Sequence, residues 1–163
     1  HYMSQQWDLQ YYQNVYASVD GSSELPAAGR HFTNDILEEL KKRGVEIVYI
    51  TLHTGLSSVI VEEENFESHT MHYEEIEVNR ESAEIINQNR KAGGRVFAVG
   101  TTVVRTLETV ADDLGIVSSY RGHTNLYIYP GYRFKVVDAF ITNFHGPRSS
   151  RIAMAAAFSG EEL

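Results

Sequence analysis

The chain has 163 residues, of which 42% are hydrophobic and 22% charged, a composition typical of one globular domain with a buried core. It contains no cysteine, which excludes a disulfide framework and thiolate metal sites. No apolar run reaches membrane-spanning length, and residues 1–10 lack the apolar core of a signal peptide. We therefore expect a cytoplasmic protein with no membrane partner.

Charge is distributed unevenly along the chain, whose formal net charge is −8. Residues 1–89 carry 5 Lys and Arg against 16 Asp and Glu, a balance of −11. Residues 90–151 carry 9 Lys and Arg against 4 Asp and Glu, a balance of +5. The net charge argues against a simple nucleic-acid binder, whereas the basic second half indicates an anionic partner on one face; a solvated charged face is the alternative.

The predicted helices and strands alternate along the chain. Thr33 can cap a helix that ends at about Arg43, and Val45–Leu52 is a nearly continuous apolar run, typical of a strand buried on both faces. The later predicted elements are strands at Ser58–Val61 and Glu74–Val78, a helix at Arg80–Lys91, a strand at Arg95–Val99, and helices at Thr101–Leu114 and Arg148–Phe158. This alternation predicts an α/β fold with a mixed, largely parallel sheet flanked by helices in a layered sandwich.

The segment from Ile128 to His145 combines apolar runs with many polar side chains. Its two apolar runs flank Pro130 and Gly131, which predicts a strand, a tight turn and a second strand. Polar groups that become buried must find partners, so the segment is a candidate site. An amphipathic hairpin with a wet polar face explains the pattern equally well. The polar residues are Tyr129, Tyr132, Lys135, Asp138, Asn143 and His145.

A second candidate site is the turn at Gly100, Thr101 and Thr102, between a predicted strand and a predicted helix. Free amide groups at such a helix start suit a carboxylate or a phosphate. Arg105 and Glu108 follow one helical turn apart and could form an ion pair. The alternative is an ordinary strand-to-helix turn with a threonine cap.

Three histidines, His31, His53 and His145, stand at the ends of predicted elements, where open α/β sheets bind ligands. Their spacing is not that of metal ligands, so we expect no metal site. An imidazole acting as general acid or base is the functional interpretation. A structural or surface histidine is the alternative for each of them.

Five motifs occur together between about Tyr12 and Gly160: PAAGRHFT, TLHTG, HTMHYEEIEV, AVGTTVVRTLE and IYPGYRFKVVDAFITNFHGP. In order and spacing they resemble the S-adenosylmethionine:tRNA ribosyltransferase-isomerase family of queuosine biosynthesis. The resemblance implies a partial catalytic domain over residues 12–160, preceded by a tail over residues 1–11. It covers only the C-terminal catalytic half of the family's chain, without the inserted β-barrel domain.

The resemblance implies a reaction and its substrates. Family members transfer and isomerise the ribosyl part of S-adenosylmethionine onto 7-aminomethyl-7-deazaguanine at the tRNA wobble position, which gives epoxyqueuosine and releases adenine and methionine. S-adenosylmethionine is consumed as a substrate, and neither a separate cofactor nor a metal is implied. The expected partners are therefore S-adenosylmethionine and the tRNA that carries this base.

The matching polar positions supply the candidate site residues. The expected catalytic residues are His31, His53, Asp138 and His145, with His53 or His145 as the base and Asp138 orienting it or binding a ribose hydroxyl. The expected substrate-binding residues are Thr101, Thr102, Arg105, Glu108, Tyr129, Lys135 and Asn143. Among these, Thr101 and Thr102 could hold the methionine carboxylate. We expect one pocket to gather His53, Thr101, Thr102, Tyr129, Asp138 and His145.

Two hypotheses about the chain stay open. It is either the catalytic part of a longer ribosyltransferase-isomerase or a reduced paralogue that binds a nucleoside or RNA, or self-associates through an exposed sheet edge, without catalysis. The family's chain is considerably longer, and some positions depart from its pattern. Arg30 stands where the family usually has leucine, and Arg151 replaces an apolar residue.

Overall fold

The structure, a computed structural model, describes residues 7–55, 61 and 66–160. In this part of the chain there are four α-helices: α1 (Asn34–Lys42), α2 (Arg80–Lys91), α3 (Thr101–Val110) and α4 (Ser150–Ser159). There are five strands: β1 (Thr51–His53), β2 (Glu74–Val78), β3 (Phe97–Val99), β4 (Tyr120–Thr124) and β5 (Ala139–Ile141). None of the helices in these ranges has both the length and the apolar composition needed to cross a bilayer.

Three of the helices begin at a residue whose side chain caps the first turn. The Thr33 hydroxyl accepts a hydrogen bond from the Ile36 amide, and the Asn79 side chain accepts one from Ser82. Ser149 does the same for α4, which begins two residues later than predicted. Each cap contributes about 1 kcal/mol because it satisfies an amide that the helix itself cannot pair. Helices α1 and α2 lie where the sequence predicts them.

Helix α3 ends at Val110, four residues before the predicted end at Leu114. Ala111 is extended and forms an isolated β-bridge with Val117. The Asp112 carboxylate accepts hydrogen bonds from the amides of Leu114 and Ile116. An aspartate that pairs with nearby amides in this way competes with the helical pattern and ends the helix early.

The strands form two separate sheets. An antiparallel sheet has the order β1-β2-β4, and β3 pairs with β5 in parallel. The fold is therefore α/β with mixed strand directions, as predicted, but the larger sheet is antiparallel, and the expectation of a largely parallel sheet is not confirmed. In β2, Ile76 and Val78 are buried while Glu75 and Glu77 are exposed, which is the alternation of a sheet with one face in water.

Helix α3 joins the two sheets, because it contacts all five strands. Its Val104 and Leu107 are buried in a core shared with Ile76 of β2, Ala98 of β3 and Met154 of α4. This central position places the first turn of α3 among the strand ends, where the candidate residues lie.

Two predicted strand segments differ in the structure. The apolar run Val45–Leu52 forms a strand only from Thr51, and both Val45 and Tyr49 are exposed. Apolar composition alone therefore overstated the burial of this run. The strand predicted at Ser58–Val61 lies outside the described residues except for Val61, whose amide donates to the Arg148 carbonyl.

Pro130 and Gly131 form the predicted turn, but no hairpin follows it. The Tyr132 amide donates to the Tyr129 carbonyl across the turn, and Gly131 has a φ of 97°. The segment 125–134 forms no strand, and β5 pairs with β3 instead. The amides that a hairpin partner would have bound are taken by a side chain, the carboxylate of Glu108.

Candidate functional site

The parallel pairing of β3 and β5 brings two candidate segments to the same edge of that sheet. The Gly100 amide donates to the Ile141 carbonyl at 2.9 Å, where both strands end. Thr101 begins α3 directly after β3, and His145 follows β5 closely along the chain. Thr101 and His145 therefore lie at the same, carboxyl edge, where open α/β sheets bind ligands.

A narrow cleft with a volume of about 40 Å³ opens beside this edge. Its lining includes the hydrogen-bond donors Thr101, Thr102, Arg105, Ser150 and Arg151. The other lining residues are Thr54, Glu74 and the largely apolar Met71, Leu126, Tyr127, Ile128 and Met154. A water molecule needs roughly 10–15 Å³ measured in this way, so the cleft as it stands has room for a small polar group such as a carboxylate.

Arg105 is the most deeply buried cation of the cleft, with 8% of its side chain exposed. Its Nε donates to the Leu126 carbonyl at 2.9 Å, and Nη1 forms an ion pair with Glu74. Its Nη2 is buried and has no hydrogen-bond partner among the described residues. Buried donors are nearly always paired in folded proteins, so this nitrogen indicates a place for an acceptor from outside.

The first turn of α3 adds further donors. Gly100 precedes the helix with a φ of 105°, a left-handed conformation that glycine adopts without strain. It has no side chain with which to cap the helix, so the positive end of the helix dipole faces the cleft beside Thr101 and Thr102. A carboxylate or phosphate suits such a helix start.

His145 does not line the cleft but lies near Arg151, which does. Its Nε2 is hydrogen bonded to the Thr142 hydroxyl at 2.7 Å. Burial and the positive charge of Arg151 hold the pKa of the His145 imidazole below its usual value of 6.5. The imidazole is therefore neutral near pH 7 and able to accept a proton. His31 and Asn143 pair with each other at the same edge, with 3.3 Å between His31 Nε2 and Asn143 Oδ1.

His53 does not join this cleft. It lies at the end of β1 on the outer face of the antiparallel sheet, in a groove shared with Glu75, Glu77 and Arg121. Its ring packs under Gly21, where an added Cβ would come within 3.0 Å of the imidazole. The expected convergence of His53 with Thr101 is therefore wrong, because successive side chains of a strand point to opposite faces.

Glu108 and Lys135 have structural partners. The Glu108 carboxylate is almost fully buried and accepts hydrogen bonds from the amides of Lys135, Val136 and Val137 and from the Tyr132 hydroxyl. The Lys135 ammonium donates to the Ala111 carbonyl, at the far end of α3 from Thr101. Burial, with Glu108 beside it, raises the pKa of Tyr132. Neither Glu108 nor Lys135 lines the cleft.

Asp138 lies at the opposite end of the parallel pair from Thr101. It directly precedes β5, and its Oδ2 accepts a hydrogen bond from the Val96 amide at 2.7 Å. Because β3 and β5 are parallel, this amino edge lies a strand's length from the carboxyl edge, and Asp138 does not line the cleft. The structure thus does not bring Asp138 together with Thr101, and its expected role toward the base or a ribose hydroxyl stays a prediction.

Tyr129 stands behind the wall of the cleft. Its ring packs on Tyr127, with 5.2 Å between ring centroids, and on Phe66 at 5.9 Å. Tyr127 itself lines the cleft. Sequence reasoning missed Tyr127, Glu74 and Ser150 as cleft residues. The available signals were the position of Ser150 after a capping serine and that of Glu74 in a matched motif.

Within the described residues, no three His, Asp or Glu side chains gather as a metal site requires.

Comparison with known proteins gives the family. A family model described as "Queuosine biosynthesis protein" matches residues 1–163. A curated relative from a Thermoanaerobacter species, named S-adenosylmethionine:tRNA ribosyltransferase-isomerase, is 53% identical over 152 residues, which are 93% of this chain and 45% of the relative. A relative of the same name from Caldanaerobacter subterraneus is 51% identical over 156 residues, 95% of this chain and 46% of its own. The chain thus spans about half the length of the curated relatives it matches.

A solved structure is similar as well. The crystal structure of an S-adenosylmethionine tRNA ribosyltransferase from Thermotoga maritima matches with a TM-score of 0.64 and 40% sequence identity. The match covers 82% of this chain and 41% of that one. Sequence and fold agree, and the chain belongs to the queuosine biosynthesis protein family, in which its curated relatives are S-adenosylmethionine:tRNA ribosyltransferase-isomerases.

Proposed function

We propose that this chain carries the S-adenosylmethionine site of a tRNA ribosyltransferase-isomerase. The reaction transfers and isomerises the ribosyl part of S-adenosylmethionine onto 7-aminomethyl-7-deazaguanine at the tRNA wobble position, as the family resemblance implies. S-adenosylmethionine is the substrate, and the proposal requires no separate cofactor. The observation that carries it is the donor-lined cleft, in which a buried Arg105 has one nitrogen that no described residue pairs, beside a helix start without a side-chain cap.

The methionine carboxylate is assigned to the hydrogen-bond donors of the cleft. Thr101 and Thr102 offer donors in the first turn of α3, and Arg105 offers Nη2, which has no partner among the described residues. A carboxylate accepts several such hydrogen bonds, and each bond that involves a charged group is stronger than a neutral one. The volume of about 40 Å³ suits this group, and the rest of the substrate would lie outside this volume.

His145 is assigned as the base that removes a proton next to the sulfonium. It is the candidate near Arg151 of the cleft, because His53 lies on the outer face of the other sheet. A general base must be unprotonated at working pH, and the lowered pKa of His145 favours this form. Once protonated, the imidazole would lie near the positive charge of Arg151. This repulsion favours release of the proton to another group.

Four cations of the basic half support a tRNA contact. Lys91, Arg133 and Arg148 form no ion pair with a described residue, and Arg95 lies over the Phe97 ring. The other five have partners: Arg90 and Lys135 donate to backbone carbonyls, and Arg105, Arg121 and Arg151 face glutamates. Phosphate contacts through the four would make tRNA binding weaken steeply with salt.

The test is calorimetric titration of S-adenosylmethionine into the chain. We expect binding that Thr101→Val weakens at least about tenfold, because the substitution removes a charge-assisted hydrogen bond. The matched control is Thr70→Val, at an exposed position. Equal affinity of the wild type and Thr101→Val for S-adenosylmethionine would contradict the assignment of the carboxylate to this site.

Catalysis is tested separately, with a longer protein that contains this sequence. This longer protein should release adenine when it is incubated with S-adenosylmethionine and tRNA that carries 7-aminomethyl-7-deazaguanine. We expect weak turnover by the 163-residue chain alone. It spans about half the length of its curated relatives, and catalysis needs all reacting groups placed within about an ångström. Absence of both adenine and a modified nucleoside in the longer protein would favour the reduced paralogue.

A further inference from the structure

The cleft has a second helix start that the proposed function leaves unused. Ser150 and Arg151, the first two residues of α4, line it together with Thr101 and Thr102 of α3. Two helix dipoles therefore present their positive ends to one small space. The buried Nη2 of Arg105, which has no hydrogen-bond partner within the described part of the chain, is the independent sign that an anion belongs there.

Arg151 is already held by a carboxylate of the chain itself. Its Nη2 donates to Glu24 Oε2 at 2.8 Å. Glu24 follows Ser22 and Ser23, which are hydrogen bonded to Thr54 through four bonds of 2.6–3.1 Å. Thr54 lines the cleft as well. Residues 22–24 therefore form a strap that is hydrogen bonded at one end to Thr54 and at the other to Arg151, two residues that line the cleft.

The two arginine–glutamate pairs of the cleft differ in how easily they separate. The Glu74 side chain is only 13% exposed, so breaking its pair with Arg105 would leave buried charges uncompensated. The side chains of Glu24 and Arg151 are 38% and 39% exposed, and a pair of that kind contributes little to stability. Glu24 can therefore move into water at low cost, whereas Glu74 cannot.

The exposed pair then allows an exchange. Arg151 lines the cleft while its guanidinium is paired with Glu24, which is not among the lining residues. Departure of Glu24 would free this second guanidinium for a carboxylate bound beside Arg105. We propose that Arg151 is a second anion-binding arm of this cleft and that the carboxylate of the incoming amino-acid group replaces Glu24 on it. The inference rests on the proposed function, because it assumes that this cleft holds that carboxylate.

The guanidinium fork of Arg151 matches a carboxylate or a phosphate equally well. The small volume of the cleft favours the planar carboxylate. Arg151 also contributes to keeping the neighbouring His145 neutral. Arg151 would therefore contact the ligand carboxylate and also lie near the base.

The test is a double-mutant cycle on the whole chain, with methionine as the probe and calorimetry as the measurement. Glu24→Gln removes the internal competitor and should tighten methionine binding about threefold. Arg151→Leu should weaken it at least about tenfold. In the double variant the effect of Glu24→Gln should disappear, since there is no guanidinium left to compete for. The matched control is the exposed pair of Arg43 and Glu39, changed to Leu and Gln.

Each outcome has one meaning. A Glu24→Gln effect that persists without Arg151, or a Glu24→Gln change that weakens binding, overturns the exchange. If Thr101→Val weakens methionine binding but changes at Glu24 and Arg151 do not, the proposed function stands and this inference fails. If Thr101→Val has no effect either, the assigned site fails with it. Inorganic phosphate that binds as well as methionine, with the same dependence on Arg151, would overturn the carboxylate assignment.

Discussion

At the scale of single residues, Glu108 shows how a candidate binding residue serves the fold. Its buried carboxylate accepts three backbone amides of a segment 27–29 residues away. These bonds take the place of a strand partner and hold the chain between the Pro130 turn and β5. A charged side chain in the middle of a helix thus organises a distant loop.

We expect Glu108→Gln to lower the free energy of unfolding by about 3–5 kcal/mol, because the amide group accepts at only one atom and leaves buried amides unpaired. Guanidinium unfolding followed by circular dichroism measures it. The control is Glu84→Gln, in an exposed i,i+4 pair with Arg80, which should cost about 0.5 kcal/mol or less. Equal losses in the two variants would contradict the structural role of Glu108.

The second prediction at this scale concerns His145, whose pKa lies below 6.5 in the folded protein. The unfolded chain then binds this proton more readily than the folded one. Above about pH 6.5 the imidazole is neutral in both states and does not affect the free energy of unfolding. As the pH decreases from there through the folded pKa, the unfolded chain takes up the proton first, and the free energy of unfolding falls. His145→Gln should therefore lose less stability than the wild type between about pH 7.5 and about pH 5.

A direct measurement is the NMR titration of the His145 ring. Burial is the main cause of the lowered pKa and the charge of Arg151 the second. Arg151→Leu should therefore raise the pKa only part of the way to its usual value, and Arg43→Leu should leave it unchanged. A titration that Arg151→Leu does not move would show that the charge of Arg151 does not reach the imidazole.

At the scale of elements, the site depends on the way α3 follows β3. Gly100 has a φ of 105° and bonds to Ile141 of the neighbouring strand while its carbonyl accepts the amides of Val103 and Val104. One residue thus ends the strand, starts the helix and leaves the helix without a side-chain cap. Space is not the constraint, because an added Cβ would meet the nearest atom, Thr102 Oγ1, at 3.5 Å.

We expect Gly100→Ala to destabilise the protein by about 1–2 kcal/mol, since a residue with a Cβ is strained at positive φ. It should also weaken S-adenosylmethionine binding, because the first turn of α3 would shift. Unfolding and calorimetry give the two values. The control is Gly146→Ala, at an open position without a positive φ. A Gly100→Ala variant with unchanged stability would argue against the left-handed turn.

At the scale of the whole molecule, the parallel pair of strands is unevenly covered. Its inner face is closed by Ala98 and by Phe140, which packs on Phe158. Its outer face carries Phe97, 54% exposed, and Ile141, 39% exposed. Parallel strands in other α/β proteins are buried on both faces, so this face is suited to a further contact.

We expect the 163-residue chain to self-associate through this face as its concentration rises, which sedimentation velocity would detect. Phe97→Thr should shift the equilibrium toward the monomer, because it removes the largest apolar group of the patch. The control is Leu114→Thr, at an exposed leucine in the turn after α3. Equal effects of the two substitutions, or a monomer at every concentration, would contradict an interface at β3 and β5.

Local signals in the sequence determined the helices, the turn at Pro130 and Gly131 and the family. Caps such as Thr33 and Asn79 act on amides three residues away, so their effect can be read without the fold. The matched motifs likewise located Thr101, Thr102 and Arg105, which the structure brings to one cleft.

Only the tertiary structure decided which polar residues meet. His53 lies on the outer face because of its register opposite Glu75, and Asp138 lies at the far edge because β3 and β5 run in parallel. Glu108 serves the fold because its amide partners are far along the chain, and Arg151 lines the cleft while it pairs with Glu24, 127 residues before it. Such contacts depend on strand pairing and packing, which no local pattern contains.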